Sequence, residues 1–376
     1  MGRLRVLTAK ELLQLVRDPV LLAFMVYLFT FNLVLQGTSV SLQLTSASFL
    51  VHDADRSMAS RELLYRLRPP YYRLEGEVAH PQMGLRALDR GEAMLLLDIP
   101  PDFEEKLRRG ETTSVQLLID GTHTVSGFLA ANYAARIVGE YGQEIAMARE
   151  GLPGQRVDSM PVILDDQRVW FNPNQKDTWF MPISELLEAI TILAILLPAA
   201  ALVREKERGT IEQLLVAPLT ALQIMIPKVL GMTIVILAGV TISLFTVLIP
   251  VFDIPVRGSL PLFYGVTTLY VVANAGLGLF AATLARNLAQ IGLLTLLIVA
   301  PIILLSGLWT PPEAMPAWLR TATLFSPLRH YIDASYGILL KGAGLSLLWD
   351  SVLALAAIGG AILAFGIWRL QRQIKS

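Results

Sequence analysis

The chain has 376 residues, of which 54% are apolar and only 16% charged, and its mean hydropathy is +0.54. Soluble domains carry about 25% charged residues, so a disordered chain is excluded, an ordinary soluble enzyme is disfavoured, and an integral membrane protein is indicated. The absence of cysteine removes disulfides, thiol chemistry and cysteine-ligated zinc, and 31 basic against 31 acidic side chains leave no global charge to attract nucleic acid.

That balance hides a split. Residues 41–177 hold 15 basic and 20 acidic side chains, whereas the remainder holds 16 and 11. A polar domain therefore interrupts a membrane part with a basic flank.

In chain order, residues 3–17 are polar and basic, with Leu7, Leu12, Leu15 and Val16 near helical spacing. This predicts an amphipathic helix along a membrane surface, ended by Asp18-Pro19, so that residues 1–19 form an interfacial segment. Residues 20–40 form an apolar run of about the ~20 residues that a bilayer crossing requires, interrupted by Asn32 and Gln36.

Residues 41–177 read as an α/β domain. Short apolar runs at Ser48–Val51, Met94–Ile99, Val115–Ile119 and Val162–Leu164 have strand length. Ser57 caps a predicted helix through Arg68, Pro81 opens one that closes at Gly91, and Pro101 opens one that closes at Gly110. A longer helix is predicted over Ser126–Arg149.

From 178 to 376 the sequence reads as five further transmembrane helices, at about 180–203, 222–250, 260–284, 288–308 and 346–368. The fold class is then an α-helical integral membrane protein with six transmembrane helices and an extracytoplasmic α/β domain between the first and second. With both termini cytoplasmic, the inner segments hold 11 basic residues and the short outer loops 4, which favours that orientation. Residues 309–345, with four prolines and two tryptophans, are too broken for a simple span and suggest an outer re-entrant segment rimmed by aromatics.

Catalytic patterns are missing: the chain has no G-x-x-x-x-G-K-[ST] loop, no H-E-x-x-H and no G-x-S-x-G. His52, Asp53 and Asp55 allow a metal site, but a strand-to-helix turn with Asx capping accounts for them. His330 and Asp333 lie on one helical face, where an interfacial role outweighs catalysis. Leu305-Ser306-Gly307 matches a fragment of an ABC ATPase motif but ends an apolar span, and is taken as chance. No metal or catalytic residues are assigned. Glu185 and Glu188, three apart near the outer end of the second span, could attract a cationic substrate or carry a proton, and with Asn274 they are polar positions in otherwise apolar spans and candidates for a translocation pathway.

The most distinctive stretch is 204–220, REKERGTIEQLLVAPLT, read as a short cytoplasmic loop suited to docking a soluble partner. It resembles the coupling segment of ABC-2 type transporter permeases, the membrane subunits of ABC exporters. Lys10-Glu11-Leu12 with Arg17-Asp18-Pro19 is similar to that family's N-terminal interfacial helix. Ser306-Gly307, Pro311-Pro312, Met315-Pro316 and Ser326-Pro327-Leu328 are similar to its outer re-entrant segment. VHDADRS and LLIDGTHT in the large outer domain resemble the multidrug-export branch.

The resemblance covers essentially the whole chain and implies a bacterial cytoplasmic (inner) membrane permease that works as a dimer with a second copy or a paralogue. The pair would export drugs or other amphipathic small molecules among membrane lipids. ATP and Mg would be held by a separate cytoplasmic ATPase subunit and no cofactor by this chain. A periplasmic membrane-fusion adaptor is a further implied partner. The implied ATPase contacts are Arg204, Glu205, Glu207, Gly209, Thr210 and Glu212. The alternatives are an ion-coupled secondary carrier, although the halves are unlike, and a membrane-anchored sensor or assembly factor, for which one span would suffice.

Overall fold

A computed structural model describes residues 2–39, 46–120, 124–149, 177–209, 221–308, 312 and 315–375. The chain divides into two compact units, Ser41–Arg168 and a second made of Met1–Val40 with Val169–Ser376.

The smaller unit is a four-stranded sheet of order β2-β1-β3-β4. Its strands are β1 (Ala47–Asp53), β2 (Tyr72–Glu77), β3 (Leu95–Ile99) and β4 (Gln116–Ile119). β1 runs parallel to both β2 and β3, and β4 pairs antiparallel to β3. Three strands lie where short apolar runs place them. The fourth expected run, Val162–Leu164, lies outside the described residues. β2 escaped the sequence reading because YRLEGE has no apolar run. It is an edge strand, and charge on an edge guards against unwanted pairing.

Helix ends follow their capping chemistry. Ser57 Oγ accepts from the Ser60 amide at 3.0 Å and starts helix Met58–Arg66. Helix Pro81–Asp89 follows from Pro81, and Gly110, at φ +73°, closes helix Phe103–Arg109. Helix Thr124–Arg149 is pinned across the sheet by two tyrosines. Tyr72 Oη donates to the Ala130 carbonyl at 2.6 Å, and Tyr141 Oη donates to the Ala59 carbonyl at 3.0 Å. Arg66 makes a two-pronged pair with Glu144, at 2.6 and 3.0 Å, and lies over the Tyr141 ring. Phe49, Val51, Leu95, Leu97 and Leu63 fill the core beneath.

The larger unit is helical. The N-terminal helix is Gly2–Val16. Five helices are long and apolar enough to cross a membrane: Pro19–Thr38, Met181–Glu207, Met225–Leu248, Leu260–Leu284 and Leu345–Gln373. They are called here the first, second, third, fourth and last apolar helices. Leu288–Leu304, the short apolar helix, has 17 residues. At 1.5 Å per residue it reaches about 26 Å, less than the ~30 Å hydrocarbon core. The expected count of six therefore does not follow from helix length alone.

The first and third helices each contain a π turn, Tyr27–Phe31 and Ser243–Leu248, and Ser243 Oγ donates to the Phe29 carbonyl at 2.6 Å. Residues 317–339 form two short helices, Ala317–Thr323 and Pro327–Leu339, the second of which enters the core. There Tyr331 stacks on Tyr270 of the fourth helix with centroids 4.1 Å apart. Thr191 and Thr267 bond the two buried phenol hydroxyls at 2.8 and 2.9 Å.

Small residues set how closely the fourth helix packs. A Cβ added at Gly278 would overlap the Ile195 carbonyl of the second helix, and one at Gly276 would come 2.6 Å from the Ile362 carbonyl of the last helix. Without a hydrophobic drive between helices in lipid, such backbone approach supplies the packing. Gly265, on the same helix, has open space around it.

Gly278→Val should lower the detergent-solubilised melting temperature, by forcing the second and fourth helices apart at a cost of about 1–3 kcal/mol, whereas Gly265→Ala should leave it within error. Equal melting of the two variants would contradict the close approach.

Burial holds the Tyr141 hydroxyl protonated to about 12, against 10.0 ordinarily. The stability this lends is whole below pH 10 and is lost as pH rises through about 12. In a fragment spanning residues 45–175, Tyr141→Phe should cost about 1 kcal/mol at neutral pH from the lost hydrogen bond. It should also flatten the decline of the urea midpoint between those pH values, and an unchanged alkaline slope would contradict the assignment.

Candidate functional site

The last turn of the second apolar helix holds the densest polar construction among the described residues of the larger unit. Arg204–Glu207, expected in a loop, are helical, with Arg204 and Lys206 at the negative end of the helix dipole. Successive residues point about 100° apart round a helix, and here each of the four grips a different element.

Arg204 Nη1 lies 2.6 Å from Asp18 Oδ2. Asp18 is also the cap of the first helix, where its Oδ1 accepts from the Leu21 amide. Glu205 Oε1 lies 2.7 Å from Lys228 Nζ of the third helix and 3.4 Å from Lys10 Nζ of the N-terminal helix. Lys206 Nζ donates to the Ala282 carbonyl at the end of the fourth helix. Glu207 Oε1 accepts from the Leu288 amide, at 3.0 Å, at the start of the short helix. Gln373 of the last helix donates to the Thr283 carbonyl beside Ala282. Every apolar helix is thus tied at this end.

The centre of the junction is a buried ion triad. Lys228 is 2% exposed, and Glu11 and Glu205 are each 5% exposed. Lys228 Nζ is 2.7 Å from Glu11 Oε1 as well as from Glu205. Burying such charges is costly, and removing one partner strands the others, typically at about 3–5 kcal/mol. Beside the triad opens a crevice of about 560 Å³, lined in part by Lys10, Gln14, Arg17, Arg204 and Arg208. Arg17 and Arg208 face outward.

This placement divides the expected coupling residues. Arg204 and Glu205 are turned inward onto the N-terminal half of the unit. Glu207 and Gly209 are exposed, and Gly209 has φ +67°, a conformation that larger residues resist. Thr210 and Glu212 lie outside the described residues. Lys228 was missed by the sequence reading. A lone lysine within an apolar run was the available signal, since intramembrane charges are rare unless paired.

The pathway candidates separate as well. Glu185 Oε2 accepts from Asn32 Nδ2 of the first helix at 3.0 Å. Glu188, nearly one turn further on, lines a groove of about 520 Å³ between the first, second and short apolar helices. Phe24, Ile192, Leu196, Thr295 and Val299 form much of the rest of its wall, and Glu188 is the one ionisable residue among those lining it. Asn274 is fully buried and donates to the Tyr270 carbonyl of its own helix at 3.0 Å. It does not line that groove.

Two motifs outside these sites have structural explanations. Asp53 accepts from the amides of Asp55 and Arg56 and from Ser60 Oγ, while Asp55 accepts from the Glu104 amide. Both organise turns. His52 Nδ1 lies 2.7 Å from Asp98 on the paired strand, and His330 Nε2 lies 2.9 Å from the Leu324 carbonyl.

Comparison with known proteins places the whole chain. It is 32% identical to "Inner membrane transport permease YhhJ" of Escherichia coli over 97% of this chain and 96% of that one. It is 34% identical to "Probable multidrug ABC transporter permease YbhR" of the same organism, over 95% of each, and 27% identical to "Probable multidrug ABC transporter permease YbhS" over 97% and 95%. Residues 13–368, which take in the Glu188 groove and the junction apart from Lys10, Glu11 and Gln373, match the family described as ABC-2 family transporter protein, and the chain belongs to that family.

Proposed function

We propose that this chain forms the outward pathway of an ABC exporter as one of two permease subunits, the other being a second copy or a paralogue. Its coarser identity is plain: it is a multi-pass membrane permease subunit of the ABC-2 family, and that family implies an ATPase partner subunit. The observation that supports the exporter mechanism is the junction at 204–207, where one helical turn is bonded to the starts or ends of its neighbours.

In this reading the ATPase binds ATP and Mg and presses on the segment that follows Gly209, including Thr210 and Glu212, and on exposed Glu207. Arg204 and Glu205 then transmit the push rather than receive it. A displacement of this turn pulls on the first, third, fourth and short helices together, because each is held by a separate polar bond. Coupling of this kind needs a contiguous, stiff network, and buried ion pairs have few alternative partners. Glu185 and Glu188 lie towards the opposite end of the second helix, and the Glu188 groove is the part of the pathway wall that this chain contributes. Asn274 serves the helix packing behind it.

The chain crosses the bacterial inner membrane six times with both termini in the cytoplasm. The basic residues at the 204–208 end support that side, and the unit around the β-sheet then lies outside. There it offers a surface to a membrane-fusion adaptor. Drugs and other amphipathic small molecules are the cargo class, consistent with the printed names of two relatives.

Affinity purification of the tagged chain in mild detergent should recover a P-loop ATPase at near-equal stoichiometry. Gly209→Val, strained at φ +67°, should keep that association but lower transport per ATP hydrolysed by about tenfold. Lys228→Met should instead reduce the yield of folded protein, at about 3–5 kcal/mol. Recovery of the chain without an ATPase, under conditions that hold a control complex together, would favour an ion-coupled carrier.

Because the natural chain has no cysteine, single replacements report topology cleanly. Met58→Cys, at an exposed site in the sheet unit, should react with a membrane-impermeant maleimide added to spheroplasts. Arg208→Cys should react only after the membrane is opened, and the reverse pattern would invert the orientation.

A further inference from the structure

The crevice beside the ion triad carries more positive than negative charge, and we propose that it holds the phosphate of an anionic phospholipid whose acyl chains run along the N-terminal helix. Which leaflet supplies the lipid rests on the proposed membrane orientation, but the binding itself does not. At about 560 Å³ the crevice falls within the range of small-molecule sites, roughly 300–1,000 Å³.

Three adjacent stripes of the N-terminal helix prepare the site. Val6, Ala9, Leu13 and Val16, spaced by three and four residues, form an exposed apolar face, with Val6 and Val16 at 70% and 63% exposure. Lys10, Gln14 and Arg17 each stand one residue further on, about 100° round the helix, and line the crevice. Arg17 keeps to that spacing because its amide donates to the Leu13 carbonyl. Glu11 and Leu15, one residue further again, turn into the interior. The polar stripe thus lies between the apolar face and the buried one. A helix with an exposed apolar face beside a basic one settles in the interface plane, at the depth of lipid phosphates.

The positive charge is left over after the internal pairs are made. Of the acids lining the crevice, Glu11 and Glu205 face Lys228, and Asp18 faces Arg204. With Lys228 counted, five cations meet three carboxylates there. Arg17 and Arg208 are exposed and make no ion pair among the described residues. Their planar guanidinium groups suit two-pronged bonding to phosphate oxygens. One follows the N-terminal helix and the other caps the second apolar helix, so a phosphate bound by both ties those segments together. Basic pockets at helix ends on the cytoplasmic side recognise anionic headgroups in this way. An acidic protein surface would meet the arginines but leave Val6, Leu13 and Val16 without a use. A zwitterionic lipid would cover that stripe but bring no net charge to the crevice.

The test is native mass spectrometry of the purified full-length chain in detergent, with dioleoyl phosphatidylglycerol and dioleoyl phosphatidylcholine as probes of equal chain length. The wild type should bind the anionic lipid about tenfold more tightly. Arg17→Gln with Arg208→Gln should bring the two lipids within about twofold of each other, with the melting temperature in phosphatidylcholine unchanged, and the paired Lys replacements should keep most of the preference. Arg286→Gln, an exposed basic site outside the crevice, should keep all of it. Leu13→Ser with Val16→Ser should weaken both lipids and leave their ratio intact. Equal binding of the two lipids by the wild type, or as large a loss in Arg286→Gln as in the double Gln variant, would overturn the proposal. Displacement of phosphatidylglycerol by inorganic phosphate at the same concentration would overturn it too, by showing a site for free anions. Labelling of Arg208→Cys from outside the cell would sink the orientation while leaving lipid binding to stand or fall on these measurements.

Discussion

Lys228 is a charged side chain placed where water cannot reach it, and the arrangement of the larger unit follows from what it needs. An ammonium group in an apolar bundle must be paired, and both of its partners come from elsewhere in the chain: Glu11 from the N-terminal helix and Glu205 from the end of the second apolar helix. Satisfying Lys228 thus brings three segments to one point. Around that point Arg204, Lys206 and Glu207 extend the same turn to the first, fourth and short helices. A four-residue turn can do this because its side chains radiate.

The opposite faces of the bundle rely on different physics. The fourth helix touches its neighbours backbone to backbone at Gly276 and Gly278, and its tyrosine stack with Tyr331 is closed by threonine hydroxyls. These contacts are short and buried, which suits a fixed frame. The groove at Glu188 differs in being open and carrying a charge among apolar side chains. Junction and groove lie towards opposite ends of the second helix, with Pro198 between them.

The sheet unit is stabilised independently, by its own core and by the Tyr72, Tyr141 and Arg66–Glu144 contacts. Its polar edge strand and surface ion pairs are those of a water-exposed fold.

Much of this was legible without coordinates, because local chemistry acts over a few residues. Composition separated the membrane part from the polar insert, prolines, glycines and serines marked helix ends in the sheet unit, and three strands stood out as apolar runs. The 204–220 block carried the family. What sequence could not supply was pairing over long separations. It treated Lys228 as part of an apolar run and Glu205 as a docking residue, although the two are bonded to each other in the interior. It grouped Asn274 with Glu185 and Glu188, whereas helix rotation turns the asparagine into the frame and leaves Glu188 facing the groove. The edge strand β2 gave no apolar signal, because only one side chain of its six is buried. Sequence by itself determined which segments avoid water and where helices begin and end. Tertiary structure alone decided which buried charges meet, because that depends on the azimuth of each helix, which no local pattern specifies.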